Sequence, residues 1–522
     1  MKHDFRGFLF SVQTAYGRVC LNMRHSAPSL SKRLAGAIVL AALAALSAFA
    51  QQRSVQISPR TTAKINTYLD GISKAGFTGT VLVESNGRVI VARAFGMRNA
   101  EKNIPNDLGS VMDIGSLTKQ FTAAAVLKLE MQGKLSTDDK IGKYFDNVPA
   151  DKADITIHQL LRHISGLTGD VGGDYEKITR EEFLAKLMAA PLESKPGERF
   201  GYSNIGYSLL AMIIEKVSGG SYEDFLYANL FHPAGMESTG YSRPKFDPDS
   251  IAVGYRWDGQ VWGKPTDKQW DGDAPFWHLK GNGGILTTVS DMSKWAIALR
   301  GDTILSAATK QKMHNPRLRP DENENPFYGY GWDIFRTGRN TLAATHNGTN
   351  NIFYAEMHRF LDEKLTIFHM VNKGIPSFVD VNRQLTRIIF EPKYVPTVPP
   401  AESVDNQRFT EEIIKIALEK GLGPAVNAFN GRKPGLGLIR RFINRKGYDL
   451  LREKKFEQAI ELFRLNTVAF PRSSNVFDSL GEAYMESGDK MLALRNFRKS
   501  LQLDPENGNA EQMIRTLSKN PE

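Results

Sequence analysis

Cysteine is almost missing from this sequence, because its 522 residues contain only Cys20. That residue lies in a leader that we expect to be removed, so the mature chain would carry no thiol. A chain without thiols has no disulfides, no cysteine nucleophile and no thiolate ligands for a metal. The chemistry must therefore be sought among other side chains.

Long hydrophobic runs are also scarce. The run Leu34–Ala50 follows two basic residues and ends in small ones, a pattern that predicts a secretory signal peptide over residues 1–50, cleaved after Ala50. The alternative is an uncleaved membrane anchor, for which the run is short; Met23 would be a more natural start. We expect an exported protein, periplasmic or secreted, with no stable membrane span after cleavage.

Concentrated positive charge is a third absence. The formal net charge is +10, but half of this excess lies in the first fifty residues, and no basic stripe interleaved with aromatic residues follows. Nucleic acid is therefore not an expected partner. The sequence also lacks His-Glu-x-x-His, and its glycine cluster Gly281–Gly284 is not followed by the Lys-Ser/Thr of a phosphate loop. We expect no metal and no cofactor.

What the sequence does contain is the pattern of a mixed fold. Two β-rich runs flank Asn86-Gly87, the strongest short-range signal of a hairpin, and later strands are predicted at Asn351–Phe360 and Leu365–Val371. A hairpin and late strands separated by a helical insert predict an α+β domain over residues 55–393, with an antiparallel sheet flanked by helices plus a helical subdomain. The predicted helices are Thr61–Gly76, Ser116–Gln132, Ile157–His163, Arg180–Met188, Asn204–Ser218 and Phe378–Phe390.

The composition changes after residue 393. Residues 394–409 are rich in proline and lack apolar periodicity, which predicts a linker. An all-helical domain is predicted over 410–522, because glycine, alanine, phenylalanine and proline then recur 34 residues apart, in about residues 439–472 and 473–506. The recurring pairs are Gly447 and Gly481, Ala459 and Ala493, Phe463 and Phe497, and Pro471 and Pro505.

This period resembles that of tetratricopeptide (TPR) repeats. Additional helices at Thr410–Gly421 and Ala510–Leu517 are expected to flank the two repeats. Such repeats can form a groove that binds a protein or peptide partner, or they can be a packing or dimerisation appendage, and the repeat alone does not decide between these roles.

The first of three chemical motifs is Ser116-Leu-Thr-Lys119. A serine hydroxyl is a weak nucleophile until a base accepts its proton, and a lysine one helical turn later can reach it. Three further Ser-x-x-Lys matches begin at Ser29, Ser242 and Ser487. Among the four, Ser116 alone opens an amphipathic helix, so Ser116 is the candidate nucleophile.

The second motif is Tyr202-Ser-Asn204, ahead of an apolar helix. A tyrosine hydroxyl near a cation can transfer a proton to a leaving group, and a nearby side-chain amide can hold the substrate backbone. Taken alone, this pattern more often marks an aromatic packing residue beside a helix cap.

The third motif is His346-Asn-Gly348-Thr349, just ahead of the predicted strand Asn351–Phe360. Its glycine would let a substrate approach the backbone closely. The N–H of Thr349 can join that of Ser116 in an oxyanion hole. A lone histidine is more often structural, so this motif indicates an active site only together with the other two motifs.

Together and in this order, the motifs resemble those of the serine β-lactamase and penicillin-binding-protein family, which are Ser-x-x-Lys, Ser/Tyr-x-Asn and Lys-Thr-Gly. The tyrosine is similar to that of the class C branch and its related D-amino-acid peptidases and esterases. The resemblance extends over about Ile65–Phe390. Its further landmarks are Leu160–Leu167, Pro233–Met236, Gly283–Ile285, Ser290–Met292 and Tyr328–Trp332.

This resemblance implies a β-lactamase/transpeptidase-like fold and a set of roles. Ser116 would be acylated, while Lys119 and Tyr202 would transfer protons. The remaining motif residues would contact the substrate, namely Asn204, His346, Gly348 and Thr349. Two loops, Asp170–Asp174 and Trp257–Trp277, are candidates to shape the pocket, the second either as a lid or as ordinary surface.

His346 departs from the family pattern, which usually has lysine there. Lysine offers a permanent positive charge to a substrate carboxylate, whereas histidine is mostly uncharged at neutral pH. We therefore expect hydrolysis of an ester, a D-amino-acid amide or a peptide, with weak or absent β-lactam turnover. The alternatives are a β-lactamase or DD-carboxypeptidase and, from another class, a non-catalytic module that binds a partner through the repeats.

Overall fold

The structure is a computed structural model. It describes residues 54–256, 259–268, 275–314, 327–374, 380–398, 404–434, 436–505 and 507–519. The predicted signal peptide, residues 1–50, lies outside these ranges. Within them, none of the helices combines the length and apolarity needed to cross a bilayer.

A seven-stranded sheet forms the centre of the first domain. Its strands pair antiparallel in the order β2-β1-β13-β12-β11-β10-β9, and the short remaining strands form three two-stranded ladders. This architecture confirms the predicted fold class. The strands are β1 Gly79–Ser85, β2 Arg88–Phe95, β3 Met97–Asn99, β4 Ile104–Pro105, β5 Met112–Asp113, β6 Gly254–Tyr255, β7 Val261–Gly263, β8 Leu286–Thr287, β9 Phe327–Tyr328, β10 Asp333–Arg336, β11 Leu342–Thr349, β12 Tyr354–Phe360 and β13 Leu365–Val371.

The hairpin between β1 and β2 follows from its turn chemistry. Asn86 and Gly87 both adopt positive φ, at 55° and 82°, as a turn of type I′ requires. Every residue of β1 is buried, because both faces of the sheet are covered. Val81 and Val83 belong to the core on one face, and Leu82 belongs to the core on the other.

Helices cover both faces of the sheet. The first and last helices of the domain, α1 and α9, pack on one face. The remaining helices build the larger core on the other face, where the helical subdomain lies. The helices of this domain are α1 Pro59–Lys74, α2 Thr118–Met131, α3 Ile157–Leu161, α4 Arg180–Ala189, α5 Asn204–Ser218, α6 Tyr222–Leu226, α7 Val289–Ala298, α8 Ala307–His314 and α9 Val381–Phe390.

One strand differs from the prediction. Leu342–Thr349 forms β11, so the third motif lies inside a strand rather than ahead of one. The next strand begins at Tyr354, not at Asn351. Between them the Asn350 side chain accepts hydrogen bonds from the N–H groups of Ile352 and Phe353, at 3.1 and 2.8 Å, which closes a turn. Asn and Gly suggested a loop locally, but pairing with β12 holds the segment extended.

The second domain is entirely helical in its described residues. The predicted linker, 394–409, is shorter than expected because its last six residues are already helical. Tyr394 also packs on the first domain, with the Arg387 guanidinium 3.9 Å from its ring centroid. The helices are α10 Val404–Lys420, α11 Leu422–Asn430, α12 Arg440–Arg452, α13 Phe456–Ala469, α14 Ser474–Glu486, α15 Lys490–Leu503 and α16 Gly508–Lys519.

The two predicted repeats share one packing contact. A Cβ on Gly447 would lie 2.6 Å from the Phe463 ring, and a Cβ on Gly481 would lie 2.9 Å from the Phe497 ring. Because real Cβ atoms do not approach so closely, glycine is what allows α12 to contact α13 and α14 to contact α15. The shared contact supports a helical repeat, and its assignment as TPR stays a prediction.

Candidate active site

Ser116 lies at the start of the central helix of the site. It belongs to a single 3₁₀ turn, Gly115–Leu117, that continues directly into α2. One turn later, the fully buried Lys119 points its amine at Ser116, with Nζ 3.0 Å from Oγ. The amine also donates to Asn204 Oδ1 at 2.7 Å and to the carbonyl oxygen of Asn282 at 2.9 Å. The three donors of an ammonium group are thus all engaged.

The surroundings of Lys119 favour its neutral form. Burial lowers the pKa of Lys119 from its ordinary value to about 7, and the carboxylates of Asp170 and Asp174 oppose this shift only in part. Removing an ammonium group from water disfavours its charge. A large fraction of Lys119 is therefore an uncharged amine at neutral pH, a state that can accept the Ser116 proton.

The second motif reaches Ser116 from the N-terminus of α5. Ser203 caps that helix, its hydroxyl accepting from the N–H of Gly206 at 3.2 Å. The ring centroid of Tyr202 lies 4.7 Å from the Lys119 amine. Although Tyr202 is 38% exposed, burial around its hydroxyl raises the pKa of the phenol above its usual value, and a hydrogen bond with Ser116 opposes this. Tyr202 is therefore protonated at neutral pH.

His163 is a site residue that the sequence did not single out. It is fully buried, and its Nδ1 accepts a hydrogen bond from the N–H of Ser203 at 3.0 Å. Its ring also stacks on Tyr202, with centroids 4.2 Å apart. His163 therefore positions the second motif. Its place inside the landmark segment Leu160–Leu167 was the available signal.

The third motif presents an open strand edge beside Ser116. The pairing of β10 with β11 covers only Leu342–Thr345, so the later residues of β11 have no β10 partner on that side. A Cβ on Gly348 would lie 2.4 Å from the nitrogen of Ser116, and one on Gly115 would lie 2.5 Å from the nitrogen of Thr349. Two glycines thus let the backbones of the nucleophile turn and of β11 approach closely.

His346 is buried and neutral in this arrangement. Its Nδ1 lies 2.6 Å from the carbonyl oxygen of Asn347 and must donate there, so its Nε2 accepts from the Tyr328 hydroxyl at 2.8 Å. Burial, and secondarily the nearby Lys119 charge, lowers the pKa of His346 to about 3. His346 therefore offers no positive charge to a substrate near neutral pH.

The two loops proposed to shape the pocket differ in what they contact. The Asp170 carboxylate accepts from the Asn204 amide at 2.9 Å. In the second loop, Trp262 contacts the rings of Tyr175 and Phe353 at 6.0 and 6.1 Å. Two other tryptophans of that loop, at positions 257 and 270, lie outside the described residues.

The other six residues singled out from the sequence lie around Ser116. Lys119, Tyr202 and Asn204 connect to it through the contacts above. Gly348 and Thr349 lie against its backbone, and the His346 ring is 6.4 Å from that of Tyr202. The carbonyl of Asn282 was missed because main-chain acceptors have no signature in the sequence.

Comparison with known proteins agrees with this geometry. The family model described as Beta-lactamase matches residues 65–389. This is more than half of the chain, and the chain therefore belongs to the β-lactamase family, whose members are serine hydrolases that include the penicillin-binding-protein type.

Three individual proteins illustrate the degree of similarity. Penicillin-binding protein 4* of Bacillus subtilis (strain 168) is 28% identical over 379 residues, which are 69% of this chain and 83% of that protein. Protein flp of Staphylococcus aureus (strain MW2) is 28% identical over 287 residues, and the match spans 52% of this chain and 55% of that relative, about half its length. The octameric penicillin-binding protein homologue from Pyrococcus abyssi superposes with a TM-score of 0.54 at 28% identity, covering 68% of this chain and 81% of that one.

Proposed function

We propose that this chain is an exported serine hydrolase that cleaves an ester, a D-amino-acid amide or a peptide through an acyl-enzyme on Ser116. The observation that carries the proposal is the 3.0 Å contact between the Ser116 hydroxyl and a buried amine whose pKa is lowered to about 7. A neutral base within hydrogen-bond reach is what activates a serine nucleophile.

Acylation begins when Ser116 Oγ attacks the substrate carbonyl carbon and Lys119 Nζ accepts the hydroxyl proton. The negative charge that develops on the carbonyl oxygen is held by the N–H groups of Ser116 and Thr349, the two backbones that approach closely here. The substrate backbone pairs with the open edge of β11 and with the Asn204 amide. As the scissile bond breaks, Tyr202 gives its phenolic proton to the leaving group and regains one from the Lys119 ammonium.

Deacylation uses the same groups in reverse. Water attacks the acyl carbonyl while the neutral Lys119 amine, relayed through Tyr202, accepts a proton from it. The bond to Ser116 Oγ then breaks, the serine regains its proton, and the acid product leaves. Each cycle therefore consumes one water and returns Ser116, Lys119 and Tyr202 to their starting protonation states.

The repeats belong to the same proposal. We assign residues 410–522 to a TPR-like domain that contributes to recognition, because its α12 faces the turn that follows β11. The catalytic groups named above all lie in the first domain, so the repeats take no part in proton transfer.

A fluorophosphonate probe tests the nucleophile assignment directly. The probe transfers its phosphonyl group to an activated serine, and we expect one adduct, located at Ser116 by peptide mass spectrometry. Adducts distributed over several serines, or absent from the native protein while a known serine hydrolase is labelled in parallel, would contradict the proposal.

The rate of acylation is expected to rise with pH around pH 7. Only the neutral Lys119 amine accepts the Ser116 proton, and its pKa is about 7. Tyr202 adds no titration in this range because its pKa is raised. Burial raises the pKa of Asp113, which accepts from the Gly115 N–H, to about 7 as well, so the Lys119→Met variant is needed to assign the titration. The measurement is kcat/KM for an uncharged ester between about pH 5 and 9.

The Asp174→Asn variant is predicted to shift this pH profile in a defined direction. The Asp174 carboxylate raises the pKa of Lys119, so its removal should move the rising limb to lower pH. A limb that moves to higher pH would show that Lys119 is not the titrating base.

Nitrocefin is expected to be a poor substrate. The family lysine that meets the β-lactam carboxylate is replaced by His346, and burial lowers the pKa of His346 to about 3, so it is uncharged at neutral pH. We expect kcat/KM for nitrocefin to be at least about 100-fold below that for the best nitrophenyl ester, since a charged hydrogen bond is lost. A substrate panel with D-amino-acid amides and D-Ala-D-Ala peptides measures this, and comparable turnover of nitrocefin would refute it.

A further inference from the structure

A cavity of about 750 Å³ lies between the first domain and the repeats. One wall is the turn from Thr349 to Tyr354, and the opposite wall is α12 of the helical domain. Thr349 also faces the Ser116 turn, through the close approach of its nitrogen to Gly115. Thr349 therefore lies between the cavity and the active-site edge of β11.

Positive charge dominates the lining of this cavity. Six basic side chains and one carboxylate, Asp380, contribute to it. We call this set the basic cleft, and its cations are Arg256, Lys373, Arg383, Arg440, Arg441 and Arg445. They come from both domains, so the cleft exists only when the repeats are docked.

Part of this charge is used to join the domains. Arg440 and Arg441 both pair with Asp380, at 2.5 and 3.5 Å, and these arginines hold the pKa of Asp380 well below its usual range. Arg383 contacts Asp504 of the repeats at 3.4 Å. These contacts join the N-terminal part of α9 in the first domain to the repeats.

The other three cations of the basic cleft take no part in these ion pairs. Arg256, Lys373 and Arg445 have no carboxylate partner within the described part of the chain, and they arise from three separate elements. Arg445 lies over the Phe442 ring, with its guanidinium 5.4 Å from the ring centroid. Unneutralised charges that converge on a concave surface create a strong positive potential, which attracts an anion.

We propose that the basic cleft binds a carboxylate or phosphate group of the substrate, remote from the scissile bond. This inference rests on the proposed function, and it names the substrate class as an acidic ester, amide or peptide. The guanidinium of Arg445 is suited to such a group because its planar N–H donors match two oxygens of a carboxylate or phosphate. In this chain an anion would therefore bind at the interface with the repeats, beyond the end of β11, and not at the third motif, where the family usually has lysine.

The test compares matched substrates on the whole protein. One series consists of nitrophenyl esters whose acyl chain ends in a methyl, carboxylate or phosphate group, at several chain lengths. A second series carries the same three groups on the aryl leaving group. We expect the wild-type kcat/KM to favour an anionic member over its neutral counterpart, with the preference weakening as salt increases.

The Lys373→Gln/Arg445→Gln double variant should lose this preference. The expected fall in kcat/KM is roughly ten- to hundredfold for the anionic substrates, the value of one charged hydrogen bond, with the neutral esters unchanged. Lys433→Gln/Arg498→Gln is the matched control, because it removes one lysine and one arginine from the exposed surface of the helical domain outside the cleft, and it should keep the preference.

The outcomes separate the two proposals. Absence of an anion preference in both wild-type series, or a preference that survives in the double variant, overturns the basic cleft as a binding site while neutral ester turnover still supports the hydrolase. A carboxylate preference without a phosphate preference, or the reverse, identifies the group. If neutral esters and the Ser116 adduct both fail in the wild type, the hydrolase proposal itself is overturned. Thermal unfolding of each variant verifies that it is folded.

Discussion

Ser116→Ala is expected to reduce kcat for the best ester by roughly 10⁵- to 10⁶-fold, the loss typical of a removed nucleophile. Ser116 Oγ is the one aliphatic hydroxyl among the described hydrogen bonds of the Lys119 amine, whose other two acceptors are amide oxygens. The substitution removes one atom at the start of α2 and leaves the caps and core contacts of the helix unchanged. Steady-state hydrolysis and phosphonate labelling should therefore both disappear, while thermal unfolding changes little.

A matched control comes from another copy of the same motif. Ser487 and Lys490 also form Ser-x-x-Lys, but the Ser487 hydroxyl donates to the carbonyl oxygen of Tyr484 at 3.0 Å in the helical domain. Ser487→Ala should keep full activity and full labelling. If it lost activity as Ser116→Ala does, or if Ser116→Ala retained labelling, the assignment of the nucleophile would fail.

Lys119→Met is expected to slow acylation by about 10²- to 10⁴-fold, the usual contribution of a general base. Methionine is unbranched like lysine, one atom shorter, and better accommodated in a buried position, so the fold should persist. The variant also removes the proposed base, whose pKa is about 7. Its residual activity should therefore lose the rise with pH that the wild-type protein shows, a change that a purely structural defect would not produce.

Lys128→Met controls for substitution of lysine within the same helix. Lys128 also lies in α2, but its amine donates to the carbonyl oxygen of Ile304 at 2.9 Å, away from Ser116. We expect its single-turnover acylation rate and pH profile to match those of the wild type. If both variants lost acylation rate equally, the loss would be due to destabilisation of α2 and not to removal of a base.

Much of the fold was predictable because local signals agreed with tertiary ones. Asn86-Gly87 tolerates the positive φ of a tight turn, and the helix predicted at Asn204–Ser218 is observed with the same bounds, capped by Ser203 and ended by Gly219 at φ 75°. These signals depend on residues close in the chain. Strand β11 was missed because its polar residues and glycine resemble a loop, and only pairing with β12 makes it a strand.

The candidate site, like the fold, was predictable only in part. Ser-x-x-Lys, Tyr-x-Asn and His-x-Gly were visible as short motifs in a fixed order. His163 and the Asn282 carbonyl were not visible, because they act through contacts with residues 40 and 163 positions away. The basic cleft was hidden for the same reason, since its cations come from separate elements in two domains.

Residue identity and spacing were sufficient to single out a serine, a lysine and a tyrosine for hydrolytic chemistry and to mark a repeat of 34 residues after the first domain. The ionisation of those groups came only from the fold. Lysine has the same intrinsic basicity at every position, and the pKa of Lys119 is about 7 because distant segments close around its amine and exclude water. Solvent exclusion is a property of the packed molecule, and no local pattern encodes it.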